Sequence, residues 1–303
     1  MRRPASITIL LLALLAAGCS PIGGVSGQTS LPIVEATPTS IPTTTTSTIA
    51  TATSKDAVLV IGDWGAATDA ESEVASAMDA YAADHPVAAI LTTGDNLYDD
   101  EGDPALAPFD WVAASGIDWW VAWGNHDTES SVRIAEVNRL FSAPPRWTTV
   151  EWGAVSIVIL DSNQMESEEQ KAFLDAEMKR IDGPTVVVFH HPPLNCSVHD
   201  DNEAFWDEWR PLFDDDVVLV LSGHAHNYQR FEDEGIQYVV AGAGGKSIYE
   251  LDDCPSGHVP RLVGSEAHSY LALTQGIDGL TLTAITRDDE IVDEFTIPLT
   301  TDG

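Results

Sequence analysis

Five short apolar runs, each of which stops abruptly at polar residues, constrain the fold of this chain most strongly. The runs occupy residues 57–61, 87–91, 119–123, 185–189 and 217–221. Segments with helical periodicity lie between several of them, for example residues 69–83, and helices are also predicted over residues 104–115 and 202–213. An alternation of buried strands and helices predicts an α/β fold, in which active sites lie beyond the carboxyl ends of the strands. The polar residues that follow the five runs are therefore expected to meet at one place.

The polar ends of the runs share aspartate, asparagine and histidine, which are common metal ligands. They read Gly62-Asp63-Trp64-Gly65, Gly94-Asp95-Asn96-Leu97-Tyr98, Gly124-Asn125-His126-Asp127, His190-His191-Pro192 and Gly223-His224-Ala225-His226. Taken singly, each has a structural explanation, because Gly-Asp is typical of turns and caps and a lone histidine more often packs than binds a metal. As an ordered set they predict a metal site. Asp95 has two carboxylate oxygens and is interpreted as the bridge between two cations roughly 3.5–4 Å apart.

In this order and spacing, the five motifs resemble those of the calcineurin-like metallophosphoesterases. Among these, they are most similar to the purple acid phosphatases of the small, tartrate-resistant type. The resemblance covers residues 57–245. It implies an α/β sandwich of two β-sheets flanked by helices, with a dinuclear metal centre at the carboxyl ends of the strands.

The resemblance implies seven metal ligands. They are Asp63, Tyr98 and His226 for one ion, Asn125, His190 and His224 for the other, and Asp95 for both. Carboxylate and phenolate are hard donors that suit Fe(III), whereas two imidazoles and an amide suit a divalent Fe, Zn or Mn ion. Tyr98 would mark the purple, iron-containing type. Its alternative interpretation is a buried phenol that makes only a hydrogen bond.

The implied activity is hydrolysis of phosphomonoesters by a metal-bound hydroxide that attacks phosphorus. His126 would then be the catalytic residue that protonates the leaving group. His199 stands nine residues after His190 and resembles a second, substrate-facing histidine, although an exposed loop residue is the alternative. Two other functions are left open. The chain could be a phosphodiesterase with the same metal centre, or a surface protein that binds metal or phosphate without turnover.

Three further residues are interpreted as support for the ligands. Asp127 is expected to orient His126 by a hydrogen bond. Under the His-x-Pro pattern of the family, the ligand is taken to be His190 with Pro192, and His191 is interpreted as a supporting or packing residue rather than a ligand. Arg230 would steady the loop after the last ligand or touch phosphate, with a surface ion pair as the alternative.

The first nineteen residues resemble an export signal. Arg2 and Arg3 precede the apolar run 7–15, which is too short to span a bilayer. Residues 15–19 resemble a bacterial lipoprotein cleavage box that ends at Cys19, which would become the lipidated first residue. Plain secretion with cleavage nearby is the alternative. Either way, we expect an exported protein, in the cell envelope or outside the cell.

Two domains of different character are expected after the signal. Residues 20–55 are rich in serine, threonine and proline and predict a disordered linker, and residues 56–303 form the metallophosphoesterase domain. Cys196 and Cys254 are the two remaining thiols. In an oxidising compartment a disulfide between them is favoured over two separate thiols.

The charge of the chain excludes one class of partner. With 48 acidic against 14 basic residues the formal net charge is -34. Such a surface repels polyanions, so nucleic-acid binding through phosphate contacts is not expected. Small phosphate esters are the expected partners, and the only membrane contact would be the lipid anchor.

Overall fold

The computed structural model describes residues 56–299 of the chain. The predicted signal peptide with Cys19 and the predicted linker over residues 20–55 lie outside the described residues. Within residues 56–299, no helix combines the length and the apolar character needed to cross a bilayer.

Helices separate most of the strands before residue 217 in the described part of the chain, and from there to residue 297 the elements are strands only. The strands are β1 (Ala57–Ile61), β2 (Val87–Thr92), β3 (Asp118–Val121), β4 (Thr148–Trp152), β5 (Val155–Ile159), β6 (Thr185–Val188), β7 (Val217–Ser222), β8 (Tyr228–Asp233), β9 (Ile236–Ala241), β10 (Val263–Ser265), β11 (Ser269–Gly276), β12 (Gly279–Thr286) and β13 (Ile291–Ile297). The helices are α1 (Asp69–Asp84), α2 (Asp103–Leu106), α3 (Asp110–Ser115), α4 (Asn125–Thr128), α5 (Ser131–Leu140), α6 (Glu168–Arg180) and α7 (Glu203–Glu208).

The strands form two mixed sheets. One has the order β13-β12-β11-β1-β2-β3 and the other the order β10-β8-β9-β7-β6-β5-β4. Strands β1, β2 and β3 run parallel in the first sheet, and β5, β6, β7 and β9 run parallel in the second. The predicted sandwich of two sheets flanked by helices is confirmed.

Side chains of the central strands alternate between two apolar layers. Val58 and Val60 of β1 belong to a core that also contains Val188 of β6, so this core lies between the sheets. Leu59 and Ile61 belong to a second core shared with α1 and its neighbours. Because both faces are buried, these strands are continuous apolar runs, and this is why the sequence pattern identifies them.

Two predicted helices are broken in the structure. The helix predicted over residues 104–115 forms as α2 and α3, joined by a 3₁₀ turn at Ala107–Phe109. The helix predicted over residues 202–213 ends with α7, and a 3₁₀ turn follows at Arg210–Leu212. Each 3₁₀ turn contains a proline, which has no N–H to donate within a helix.

Candidate metal centre

The two aspartates of the predicted centre lie where β1 and β2 end. Asp63 and Asp95 are fully buried, and their backbones are left-handed, with φ of 54° and 52°. His224 after β7 has a φ of 68°. Non-glycine residues rarely adopt this conformation, which turns each side chain sharply out of its strand. The three side chains therefore converge beyond the carboxyl ends of the strands.

One group of predicted ligands consists of Asp63, Tyr98 and His226. The Tyr98 hydroxyl lies 3.2 Å from Asp63 Oδ1 and 3.1 Å from His226 Nε2. The His226 Nε2 atom is 3.5 Å from the same carboxylate oxygen. Burial lowers the pKa of His226 to about 4, so its imidazole is neutral, the form that binds metals. The structure thus brings all three predicted donors together.

A second group consists of Asn125, His190 and His224. The Asn125 Oδ1 atom, at the start of α4, lies 3.0 Å from His190 Nε2. The rings of His190 and His224 are 5.0 Å apart between centroids. Burial and then the charge of His190 lower the pKa of His224 to about 2. Burial also acts to lower the pKa of His190, but the Asp95 carboxylate outweighs it and raises that pKa to about 9.

Backbone carbonyls orient two of the histidines. His190 Nδ1 lies 2.9 Å from the carbonyl oxygen of Thr93, and His226 Nδ1 lies 2.9 Å from that of Ser247. An Nδ1–H that donates to a carbonyl turns Nε2 toward the other ligands. This is the arrangement by which proteins hold metal-binding imidazoles.

Asp95 lies between the two groups. Its Oδ1 atom is 3.4 Å from His190 Nε2 and accepts the backbone N–H of His126 at 2.9 Å. Its Oδ2 atom is buried and has no hydrogen-bond partner among the described residues. A buried carboxylate oxygen without a partner is costly unless a cation or donor satisfies it. The residues present therefore fit a metal centre that Asp95 and the two groups of donors would hold.

The surroundings of Tyr98 favour its protonated phenol. Burial first, and then the carboxylates of Asp63 and Asp95, raise its pKa above the ordinary value. Two cations at this place would act in the opposite direction and favour the phenolate. Lys246 Nζ lies 4.2 Å from the centre of the Tyr98 ring and is a positive charge beside the site that the sequence patterns did not indicate.

His126 has a different orienting partner from the one predicted. Its Nδ1 atom lies 3.1 Å from Glu129 Oε2, and Arg133 donates to both Glu129 and the His126 carbonyl oxygen. Asp127 instead accepts the backbone N–H of Leu97 and of Gly124. The predicted bond from Asp127 to His126 is therefore wrong. The Asp127 side chain points into the protein because it caps the turn before α4. Its bond to the Leu97 N–H stabilises the loop that carries Asp95.

His191 and His199 both lie beside His224. The His191 ring centroid is 4.6 Å from that of His224, and its Nδ1 lies 2.8 Å from Ser162 Oγ. The His199 ring stacks on His224 at 4.0 Å. Burial lowers the pKa of His199. Both predicted residues therefore lie at the edge of the site, in contact with the predicted ligand His224.

Arg230 does not support the ligands, contrary to the prediction. It lies on β8, a strand that the sequence patterns missed, and its Nε donates to Asp293 at 2.6 Å. The Tyr228 hydroxyl donates to the same carboxylate at 2.7 Å. Because the chain enters a strand directly after His226, it carries Arg230 away from the centre and toward β13.

Cys196 and Cys254 form a disulfide, with their Cα atoms 4.9 Å apart. The bridge joins the segment after His190 to the loop after Lys246. It therefore ties together the two loops that carry His199 and Tyr249 beside the centre. Tyr249 stacks on His226 at 4.0 Å between ring centroids, a contact for which no sequence signal was visible.

Comparison with known proteins identifies relatives by sequence. The profile of the "Calcineurin-like phosphoesterase" family matches residues 57–228. Purple acid phosphatase 17 of Arabidopsis thaliana is 24% identical over 230 residues, which cover 62% of this chain and 68% of that protein. Purple acid phosphatase 7 of the same plant is 25% identical over 229 residues, which cover 62% and 70%.

Solved structures share the fold. GAP50, described as the anchor in the inner membrane complex of Plasmodium, has a TM-score of 0.66 at 16% identity, covering 81% of this chain and 89% of that one. A purple acid phosphatase from yellow lupin seeds has a TM-score of 0.65 at 16% identity, covering 80% and 53%. Both likenesses are to two-sheet sandwiches of the kind described above.

Proposed function

Because the chain belongs to the calcineurin-like phosphoesterase family, we propose that it is a metal-dependent phosphatase that hydrolyses phosphomonoesters. One observation carries the proposal: Asp95 has a buried, unpartnered carboxylate oxygen at the point where two groups of metal donors meet. The family implies phosphoester hydrolysis at a dinuclear site. The preference for monoesters and the roles of single residues are our proposals.

We propose that Asp63, Tyr98 and His226 hold Fe(III), because a carboxylate and a phenolate are hard anionic donors. The second ion would be divalent Fe, Zn or Mn. It would be held by Asn125, His190 and His224, with Asp95 shared between the two ions. Bound ions would supply positive charge to the phosphate oxygens and lower the pKa of a water molecule.

His126 is proposed to give a proton to the leaving-group oxygen when the ester P–O bond breaks. Its backbone N–H is tied to Asp95, and Glu129 binds the ring at Nδ1, which leaves Nε2 available for the leaving group. The ring also packs 4.5 Å from that of Tyr98. These contacts hold His126 beside the bridging carboxylate without making it a ligand. His199, stacked on His224, is proposed to face the substrate as well.

The proposal is tested by hydrolysis of matched phosphomonoesters and phosphodiesters by the metal-loaded enzyme across pH. We expect faster hydrolysis of monoesters in the wild type and no activity in Asp95→Ala. His126→Ala should keep its metals and slow turnover by roughly 100-fold or more, most strongly for poor leaving groups. Faster cleavage of diesters would replace the proposal with a phosphodiesterase, and an inactive wild type with both metals bound would contradict it.

The iron assignment has its own test. A phenolate bound to Fe(III) absorbs visible light, so the wild type should be coloured and Tyr98→Phe should lose the band. The matched variant Tyr249→Phe, beside the site but outside the ligand set, should keep it. A colourless, iron-free and fully active wild type would contradict the assignment.

We further propose export with a lipid anchor at Cys19, which is supported by the disulfide, since such bonds persist in oxidising compartments. Expression of the full chain in a bacterial host should give a membrane-associated protein whose mass includes acyl chains. Cys19→Ser should release it from the membrane. A wild type that is soluble and unmodified would leave plain secretion as the explanation.

A further inference from the structure

A cavity of about 580 Å³ lies directly beside the proposed metal centre. One wall is the segment from Ser162 to Ser167, and the other includes Asp200 and Asn202. His191 and His224 line the end that adjoins the centre. Both rings lie 5.0 Å from that of His190 between centroids, so the cavity adjoins the place where we propose that the substrate phosphate binds. The volume is in the range of small-molecule sites.

The lining of the cavity contains acidic residues. Glu166, Asp200 and Asp201 line it, and no lysine or arginine is among its lining residues in the described part of the chain. Asp201 is already engaged, since it lies 2.8 Å from His258 Nε2 and accepts the backbone N–H of Asn195. Glu166 and Asp200 make no hydrogen bond or salt bridge within residues 56–299. Two acceptor groups are therefore available to a ligand in the cavity.

We propose that this cavity binds the leaving group of the substrate and that the preferred leaving group is an amino alcohol, whose ammonium is bound by Glu166 and Asp200. The inference rests on the proposed phosphatase activity and specifies its substrate class. A cationic leaving group is attracted by the two carboxylates, whereas a leaving group with its own carboxylate or phosphate is repelled. The phosphate remains at the metal centre, and the departing alcohol takes up the proton that His126 donates.

The test compares kcat/KM for four esters at one pH and low ionic strength: ethanolamine phosphate, choline phosphate, glycerol phosphate and phosphoglycerate. The wild type should prefer the two cationic esters over glycerol phosphate, and phosphoglycerate should be the poorest. Neutralising each carboxylate should reduce the cationic-over-neutral ratio by roughly two- to fivefold, because both are solvent-accessible. Glu166→Gln, Asp200→Asn and the double variant are measured separately, so that one poorly folded variant does not decide the result.

Glu169→Gln is the matched control, since it removes the same charge from an exposed position near Glu166 but outside the cavity. Its ratio should equal that of the wild type. A wild type that hydrolyses glycerol phosphate without preferring the cationic esters would overturn the inference and leave the phosphatase proposal intact. So would a preference that survives in the double variant. A metal-loaded wild type that hydrolyses none of the esters would overturn both.

Discussion

Three proposed ligands adopt backbone conformations that cost energy. Asp63, Asp95 and His224 all have positive φ, and each such residue costs of order 1–3 kcal/mol. Conformations of this kind persist where the surrounding structure enforces them, and they cluster at functional sites. Here they direct two carboxylates and an imidazole to one point. The apolar strands were visible in the sequence, but these φ values were not, because no residue pattern encodes them directly.

Glu71 couples stability to pH. It is fully buried in the first turn of α1, where Oε2 accepts the backbone N–H of Ala66 at 3.0 Å and Oε1 has no partner among the described residues. Burial raises its pKa from 4.5 to about 8. The folded chain therefore keeps a proton that the unfolded chain releases. The resulting stability is complete below pH 4.5 and is lost as the pH rises through about 8.

Glu71→Gln should reduce this loss, because glutamine is neutral at every pH. Urea unfolding of chelator-treated protein at pH 5 and pH 8 measures the effect. We expect the wild type to lose roughly 2–4 kcal/mol more than the variant across this interval. Equal losses in the two proteins would show that the Glu71 carboxyl does not carry the proton.

Glu129 is predicted to position His126. Its carboxylate binds the imidazole at Nδ1, so Glu129→Gln should weaken the contact that orients Nε2 toward the leaving group. The variant should slow esters with poor leaving groups by roughly three- to tenfold and leave esters with good leaving groups nearly unchanged. Asp175→Asn, which breaks the exposed pair between Asp175 and Lys179 on α6, should change neither. Unchanged turnover of the poor-leaving-group esters in Glu129→Gln would mean that the carboxylate does not act on His126.

At the level of elements, sequence patterns identified the strands that build the site but missed β4, β8 and β10. β4 and β10 are partly exposed, and β10 has only three residues, so neither forms a continuous apolar run. β8 begins two residues after His226, within a stretch interpreted as loop. The two predicted helices break at 3₁₀ turns that contain prolines. These prolines were visible in the sequence, but the helical periodicity of the flanking residues favoured a continuous helix. Buried parallel strands leave a strong signal, whereas short edge strands do not.

The turn that joins β3 to α4 leaves no room for a side chain. A Cβ atom on Gly124 would lie 2.1 Å from Asp95 Oδ1 and 2.2 Å from Asp95 N. Gly124→Ala must therefore displace the bridging carboxylate. We expect a folded protein by circular dichroism with reduced metal content and at least roughly 100-fold lower activity.

Gly276→Ala is the control for this substitution, because nothing lies within 4 Å of the added Cβ and the backbone there is not left-handed. It should keep metals and activity. A Gly124→Ala protein with normal metal content and turnover would contradict the placing of Asp95 at the centre.

On the scale of the whole molecule, net charge opposes substrate binding. A formal charge of -34 repels a phosphate ester, whereas bound cations, together with Lys246, would supply positive charge locally. Salt screens distant charges beyond roughly 10 Å at 0.1 M. Moderate salt should therefore raise kcat/KM in a series of sodium chloride concentrations. A steep fall would indicate that local positive charge, rather than the acidic surface, dominates the approach of the substrate.

The candidate site as a whole was predictable to the extent that its residues follow buried strands. The six predicted ligands other than Asp95 lie in the two groups around it. Glu129, Lys246 and Tyr249 were not predicted, since they reach the site from loop positions where charged and aromatic residues are common. Their roles depend on distances between segments far apart in sequence, and only the folded chain shows these.

Metal content per chain tests the central claim most directly. Wild type loaded with iron and a divalent metal, then freed of loosely bound ions, should retain about two ions per chain by elemental analysis. Asp95→Ala, measured in parallel, should retain fewer than one. A folded wild type that holds no more metal than Asp95→Ala would contradict the dinuclear centre and the function built on it.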